Sequence, residues 1–514
     1  MSKQRFFDTQ PDELRHVVSA EEFSFQKNIK NQSPFLPISL FVKVKVAFSR
    51  FLIKTVEKLI RSELYVHNEL QDLFSIDARI RSLLLLLIEK KIILSWERSP
   101  LLSDVPSIIY CYVKLNSYTT PAGHQKTIQG NSGEGVSDTL NGALTIALAE
   151  ALERHSLCTW KPSQITHGSF NQLKHKGARH PKEFTFFSER QLGMSCFSKC
   201  LASEDTTIGW MKSYSLTDGK RNFIPAQTVN ILYGEEHPNE PYFLNPSSNG
   251  AAVATSFKEA ANRAICEVIE RDSLFIFWLN NLAPPKIDLD SISIPSIQKH
   301  IKAIKLYGLN LHILDITTDL AIPAFCAVLI DTHGKVAVSM SATAGFDVPR
   351  LLERLILEIL KYPHVGELPH PQDFFTNLWK KYPNIDRFEE RRAVWSDKKM
   401  IPEIQFFLKG KTKKFSDITT LYNDLNTERK FSTLKEIFKE KNHLCHIVDI
   451  TSDEAHQVGL VAAKAVIPTL MPFYYCEREK GLGVKRLYTL PVEIGYYKKK
   501  LKENELNSTP HPFI

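Results

Sequence analysis

Apolar positions recur at helical spacing in two stretches that also carry charge. The first runs Ala147-Leu148-Ala149-Glu150-Ala151-Leu152-Glu153-Arg154, led in by Ala143, Leu144 and Ile146. The second runs Cys266-Glu267-Val268-Ile269-Glu270-Arg271-Asp272, with Ala260, Ala264 and Ile265 upstream. Both are apolar nearly all round, the pattern of a buried helix. A third apolar helix is predicted over Val348 to Lys361, with Arg354 and Glu358 at i, i+4. β-rich segments alternate with these helices. They are Ser107 to Lys114, Thr206 to Tyr214, Asn222 to Leu232, Leu311 to Ile316, Ala324 to Ile330 and Val336 to Ala342. Toward the end, an α/β unit of His446 to Asp449 and Val458 to Ile467 leads to a C-terminal helix and an extended tail.

Residues 1 to about 35 are polar and irregular. From Leu40 to Ser95 the pattern turns helical and basic, with Phe48, Phe51, Leu52, Val56 and Ile60 at helical spacing. The Leu-rich run from Asp77 ends in Glu-Lys-Lys and enters a β-like segment, similar to the last helix and wing of a winged-helix module; an all-helical extension packed on the main domain is the alternative. Residues 364 to 440 are charged and weakly patterned. The expected fold class is therefore α+β, with a mainly helical N-terminal docking region over 1-110 and the main domain over 115-514.

A chain of 514 residues has ample volume for a large core. A net charge of +8 is mild for that length, and the Lys and Arg residues are dispersed, which argues against nucleic acid as a partner. Eight cysteines without framework spacing fit a reduced, cytoplasmic protein. Leu83 to Ile88, the longest greasy run, is far too short to cross a bilayer, so no membrane partner is expected.

The charged pattern is duplicated. The offsets 267 − 150 and 270 − 153 both equal 117. On each helix, i, i+3 and i+4 share a face, so each projects two carboxylates and a guanidinium from one patch. A single copy of this pattern is most often a solvated face with local salt bridges. Here both copies sit in apolar surroundings, and each follows a glycine-containing loop, Ser132-Gly133-Glu134-Gly135-Val136 and Ser248-Asn249-Gly250-Ala251-Ala252-Val253. A duplicated unit with pseudo-twofold symmetry accounts for that. Buried carboxylates need a partner or a metal, and Glu150, Glu153, Glu267 and Glu270 together suit divalent cations. The sequence has no GxxxxGK[ST] phosphate loop and no GxGxxG after a strand. A nucleotide here would bind through Mg²⁺ shared between carboxylates and phosphate oxygens, with Arg154 and Arg271 beside them for phosphate charge.

At this point the sequence resembles the YcaO family. The motifs that carry the likeness are Gly133-x-Gly135 leading into Glu-Ala-Leu-Glu-Arg154, and Ser248-Asn-Gly-Ala-Ala-Val-Ala254 leading into Glu267-Val-Ile-Glu-Arg-Asp272. The likeness extends through Ala344-Gly-Phe-Asp-Val-Pro-Arg350, Val458 to Pro472, Arg486-Leu-Tyr488 and Leu506 to Ile514, covering about residues 115 to 514. The resemblance implies pseudo-symmetric mixed sheets with buried helices and an ATP- and Mg²⁺-dependent enzyme acting on backbone amides. It places metal ligands at Glu150, Glu153, Glu267 and Glu270. It places nucleotide contacts at Arg154, Ser248, Asn249, Gly250, Thr255, Glu259, Arg271 and Arg354. The tail Pro510-His511-Pro512-Phe513-Ile514 is similar to the proline-rich tail of azoline-forming members, the cyclodehydratase or D-protein of thiazole/oxazole-modified microcin (bacteriocin) biosynthesis. By resemblance the Ile514 carboxylate is a candidate base.

The implied reaction starts when a Cys, Ser or Thr of a ribosomal precursor peptide attacks the preceding carbonyl, and it ends in a thiazoline or oxazoline. Thioamide or amidine formation, or a non-catalytic ATP-binding scaffold, are the alternatives. Implied partners are the precursor peptide, a separate ThiF-like leader-binding protein and a flavin-dependent dehydrogenase, in a homodimer or larger complex. Glu134, where lysine is frequent, Ala147, where serine is usual, Thr255, Lys361 and Pro363 depart from the family pattern.

Overall fold

The computed structural model describes residues 75–99, 106–128, 130–200, 202–243, 247–332, 336–364, 385, 387–418 and 422–513. The helical run expected from Leu40 through Ile60, and Ile514, lie outside the described residues. The chain divides into a unit of residues 1–75 and one of residues 76–514. The sheets, helices and site described below belong to the second.

Helix α1 (Ala78–Glu89) starts at Asp77, whose carboxylate accepts from the Arg79 N–H. Strand β1 (Ile93–Arg98) pairs antiparallel with β2 (Ile109–Leu115), across the expected division at 110–115, and β2 pairs with β3 (Ser132–Ser137). The three form one sheet in the order β1-β2-β3. The first expected glycine loop is therefore a strand. The reason is steric: a Cβ on Gly133 would lie 2.1 Å from the Ala147 carbonyl oxygen, and one on Gly135 only 1.9 Å from that of Ala143. Residues 133 and 135 point the same way from a strand. Two hydrogens on that face let β3 lie flush against helix α2 (Leu140–Cys158).

A second sheet contains β4 (Ile165–Gly168), β5 (Ile208–Ser215), β6 (Arg221–Pro225) and β7 (Ala251–Ala254), completed by two strands near the C-terminus. Helix α3 (Phe257–Leu279) follows β7, as α2 follows β3. The third sheet begins with β8 (Lys286–Ile287). After helix α4 (Pro295–Leu306) come β9 (Asn310–Asp315), β10 (Ala324–Ile330) and β11 (Val338–Ala344), in the antiparallel order β11-β10-β9-β8. Helix α5 (Val348–His364) is the predicted third helix. The weakly patterned stretch holds α6 (Phe388–Ser396), β12 (Thr412–Lys413), parallel to β8, and α7 (Thr427–Glu440). Strands β13 (His446–Asp449) and β14 (Val461–Val466) complete the second sheet, where β14 pairs with β7. Helix α8 (Lys485–Glu493) precedes the C-terminal segment. Of the single strand expected over Asn222 to Leu232, only Arg221–Pro225 is extended, and Pro225 leads into a 3-10 turn.

Helix α3 joins the two larger sheets. Its N-terminal half packs Ala260, Ala264, Ile265 and Ile269 on Ala252, Ala463 and Ile447 of the second sheet and on Leu434 and Phe438 of α7. Its C-terminal half, Leu274 to Leu279, packs on the third. Strand β10 shows the alternation of a strand buried on both faces. Cys326 and Val328 face α3, while Phe325, Ala327 and Leu329 face α4 and α5. Ile146 departs from the expected burial of α2 and is 41% exposed. All eight cysteines are free thiols. No helix among the described residues is long and apolar enough to cross a membrane.

Candidate active site

Helices α2 and α3 are laid down in the same way. Thr139 caps α2 by accepting from the Gly142 N–H, and Ser256 caps α3 by accepting from the Glu259 N–H; 256 − 139 is again 117. Both β3 and β7 are edge strands, so backbone donors there are not consumed by pairing. The Glu134 N–H donates to Glu150 Oε2 at 2.7 Å, and the Gly250 N–H donates to Glu267 Oε2 at 3.1 Å. The first carboxylate of each helix is thus held by the backbone of its own glycine segment. Arg154 reaches the other oxygen of Glu150 at 2.5 Å and also donates to the Gly130 carbonyl. Arg271 pairs with Glu267 at 3.3 Å and with Glu270.

The two charged faces converge. Burial pushes the Glu153 carboxyl well up, and the charges of Glu267 on the opposite helix and of Glu150 push it the same way. Glu153 makes no hydrogen bond or ion pair among the described residues. Burial also lifts Glu270 to about 7, with Arg271 opposing and Glu267 adding. Helix α5 adds a third side. Arg354 keeps 70% of its side chain accessible while lying in the field of Glu358, Glu270, Glu267 and Glu153. Lys361 pairs with Glu134 at 3.0 Å and holds its carboxyl below the usual range against the effect of burial, and the Tyr110 hydroxyl bonds the same carboxylate.

The Ser248-Asn249-Gly250 loop closes the fourth side. Gly250 has φ +79°, where a side chain is strained, and the Ser248 carbonyl accepts from the Ala251 N–H at 2.9 Å. Lys464 of β14 pins the loop, donating to the Ser247 and Asn249 carbonyls at 2.8 and 2.6 Å. Burial brings its ammonium down to about 8 against the pull of Glu267 and Glu153. Thr255 donates to Glu259 at 3.2 Å, and Arg263 pairs with the same carboxylate. This group stands apart: eight residues along α3 separate Glu259 from Glu267, about 12 Å.

Lys464, Tyr475 and Phe513 are additions that sequence reasoning missed. Lys464 had a legible signal, a lone charge in Val461-Ala-Ala-Lys-Ala-Val466. Tyr475 feels, after burial, Arg154, Arg271, Glu267 and Glu150, so it lies between the two halves. The C-terminal segment runs to Phe513, whose ring faces Arg271, and Ile514, the expected base, is outside the described residues.

The residues fit an Mg²⁺-bound nucleotide. Among the described residues no three carboxylate, His or Cys side chains enclose an ion on their own. Mg²⁺ is commonly held by one or two carboxylates plus substrate phosphates. A water-accessible set of carboxylates, one of them unpaired and destabilised by its neighbours, interleaved with arginines, is the matching donor set. The buried Asn249 Oδ1 is also without a partner.

Comparison with known proteins identifies a family and a fold. The family model described as YcaO cyclodehydratase, ATP- and Mg²⁺-binding, matches residues 133–471. An uncharacterized protein in the tfuA 3' region of Rhizobium leguminosarum bv. trifolii is 27% identical over 217 residues, 41% of this chain and 47% of that protein. A heterocyclase solved in complex with substrate and cofactor superposes with a TM-score of 0.66 at 21% identity, covering 82% of this chain and 55% of that one. A YcaO protein from Methanopyrus kandleri bound with AMPPCP and Mg²⁺ gives 0.56 at 14% identity, covering 78% and 92%. The matched region thus spans about half the length of the curated relative and of the heterocyclase.

Proposed function

The chain belongs to the YcaO family, and from that premise we propose that it is an ATP- and Mg²⁺-dependent cyclodehydratase acting on Cys, Ser or Thr of a peptide. The observation that carries the reading is the pair of matched helices whose carboxylates face one another, with Glu153 half-buried, without an ion pair and in the field of Glu267 and Glu150. Structural ion pairs alone would leave no reason for a carboxylate without a counter-ion.

In this reading Glu150, Glu153, Glu267 and Glu270 would hold Mg²⁺, which would supply positive charge against that developing on the phosphates. Arg154 and Arg271 face the phosphates, and Arg354 adds a third guanidinium from α5. Loop Ser248 to Gly250, fixed by Lys464, offers backbone polar groups beside the carboxylates. Glu259, about 12 Å along α3 from Glu267, and Thr255, which donates to it, are assigned in this reading to the sugar end of the nucleotide.

The substrate's side-chain thiol or hydroxyl attacks the preceding carbonyl carbon and loses its proton. The resulting oxyanion attacks the γ-phosphate of ATP and ADP departs. Loss of the amide proton and expulsion of the oxygen as inorganic phosphate leaves a C=N bond in a five-membered ring. One water's atoms are lost from the peptide and one ATP is consumed per ring. No enzyme nucleophile is needed; the contribution is positioning and charge stabilisation. Tail truncation and leader-partner binding belong to the same reading, with a separate ThiF-like protein presenting the precursor.

The test is the intact mass of a Cys/Ser/Thr-rich precursor peptide incubated with this protein, its leader-binding partner, Mg²⁺ and ATP. ATP-dependent loss of one water per modified residue is the expected result. An unchanged mass with Mg-ATP bound overturns it in favour of another amide activation or of a scaffold. Glu267→Ala separates those two, since only a catalyst stops turning over ATP.

A further inference from the structure

Three side-chain donors from two helices bond three successive carbonyls of the C-terminal segment. Trp278 Nε1 of α3 donates to the Thr509 carbonyl at 3.0 Å, Trp395 Nε1 of α6 to that of Pro510 at 3.0 Å, and Arg391 Nη1 of α6 to that of His511 at 3.3 Å. All three donor residues are buried. Upstream, the Asn507 N–H donates to the Leu279 carbonyl at 2.7 Å. The segment thus leaves the C-terminal end of α3 and runs back along it. Four residues of extended chain span about 13 Å, and the seven from Trp278 to Arg271 rise about 10.5 Å. The run ends with the Phe513 ring 4.2 Å from the Arg271 guanidinium.

Arg391 does more than hold this segment. Its other terminal nitrogen donates to the Tyr475 carbonyl, and Glu477 neutralises it at 2.6 Å. Phe473 and Tyr475 form an edge-to-face pair, and Phe473 is the second ring beside Arg271. One buried guanidinium therefore ties together both chain segments that bracket Arg271. His511 supports the arrangement: its Nδ1–H donates to the Phe513 carbonyl at 3.0 Å while its ring packs on Phe275, Tyr474 and Phe473.

We propose that Arg391, with Trp395 and Trp278, is a positioning clamp that aligns the Thr509–Phe513 segment with the Phe473–Tyr475 segment and so fixes the Arg271 guanidinium for phosphate contact. This rests on the reading of Arg271 given above. Clamp residues touch neither nucleotide nor peptide; they act through the segment they hold. Their loss lowers turnover and leaves Mg-nucleotide affinity in place.

Hydrogen exchange on the full-length protein tests the clamp, and kinetics test its consequence. In Trp395→Phe, which keeps an aromatic core residue but removes the donor, amides of 507–513 exchange about tenfold faster, one hydrogen bond's worth, while those of α2 and the N-terminal half of α3 do not change. Arg391→Gln exceeds that. In ATP turnover, Arg391→Gln and Phe513→Ala each cost about tenfold in kcat with KM for ATP retained, and the double variant costs no more than the worse single. Unchanged exchange in Trp395→Phe, or multiplying losses in the double variant, overturns the clamp. If the wild-type protein has no peptide-dependent ATP turnover, the functional reading fails, and the exchange experiment still decides the clamp.

Discussion

The Arg271 guanidinium stacks 4.2 Å from the centroid of the Phe513 ring, although 242 residues separate them (513 − 271). A desolvated cation–π contact is worth about 0.5–2 kcal/mol, and here it orients a group that also pairs with Glu267 and Glu270. Phe513→Ala is therefore expected to lower kcat by about two- to thirtyfold. Binding of Mg-AMPPCP, measured by calorimetry, should stay within a factor of about three. A matched loss of nucleotide affinity and kcat would place Phe513 in nucleotide binding instead.

Glu153 is a half-buried carboxylate without an ion pair, lifted by desolvation and by Glu267. Its ionised form is disfavoured in the fold, so without metal it costs stability at neutral pH. Glu153→Gln should raise the metal-free melting temperature, by on the order of 1 kcal/mol of stability. The same variant should lose the stabilisation that Mg-ATP gives the wild type. Thermal melts with and without Mg-ATP check both halves; a destabilised variant that still responds to Mg-ATP would remove Glu153 from the metal site.

Gly135 faces the Ala143 carbonyl, where a Cβ would sit at 1.9 Å. Strand β3 cannot accept Gly135→Ala without lifting from α2. Overpacking of this kind costs about 1–3 kcal/mol, and it also moves the Glu134 N–H away from Glu150. Urea unfolding should show the loss of stability, with nucleotide affinity falling alongside. Gly123→Ala probes a glycine with open space around it but φ +87° and should cost less, through backbone strain alone.

His446 lies buried in β13 with both ring nitrogens unpartnered, and burial brings its pKa down to about 4. The unfolded chain binds a proton near pH 6.5 that the folded chain refuses until about pH 4. Stability is therefore complete above pH 6.5 and is lost as the pH falls through that window, by roughly 3 kcal/mol for a full shift of this size. His443, lowered to about 4 by burial and then by Arg486, adds to the same window. His446→Phe should flatten the acid limb of a stability-against-pH curve; an unchanged limb would show that other groups set it.

Much of the site is legible in the sequence because burial and charge coincide in so few places. Glu150, Glu153, Glu267 and Glu270 stand out as carboxylates on apolar helices, and the constant offset ties the helices into one site. Helix α5 is readable from Val348 onward for the same reason. The first glycine segment reads as a loop but is a strand, since its glycines answer to a helix packed on them rather than to a turn. Arg391 and Trp395 could not be found by pattern. Arg391 bonds backbone carbonyls 84 and 120 residues later and Trp395 one 115 residues later, and a carbonyl has no sequence signature. The pairing of Lys361 with Glu134 is equally hidden, because each stands out only as a departure from the family pattern and nothing in the sequence says that they meet until α5 and β3 are brought together.

The alternation of charge around the site has a consequence for when it attracts ligand. Glu134, Glu150, Glu153, Glu267, Glu270 and Glu358 give six acids, against the five bases Arg154, Arg271, Arg354, Lys361 and Lys464. Fully ionised, 5 − 6 leaves one negative charge, and with the Glu153 and Glu270 carboxyls lifted toward their neutral forms the metal-free cleft is close to uncharged, so by itself it offers a polyphosphate little attraction. Each divalent ion adds two positive charges and makes the field attractive. Nucleotide capture is thereby favoured by metal, and free ATP should be a poor competitor for a protein whose resting field gives it little pull.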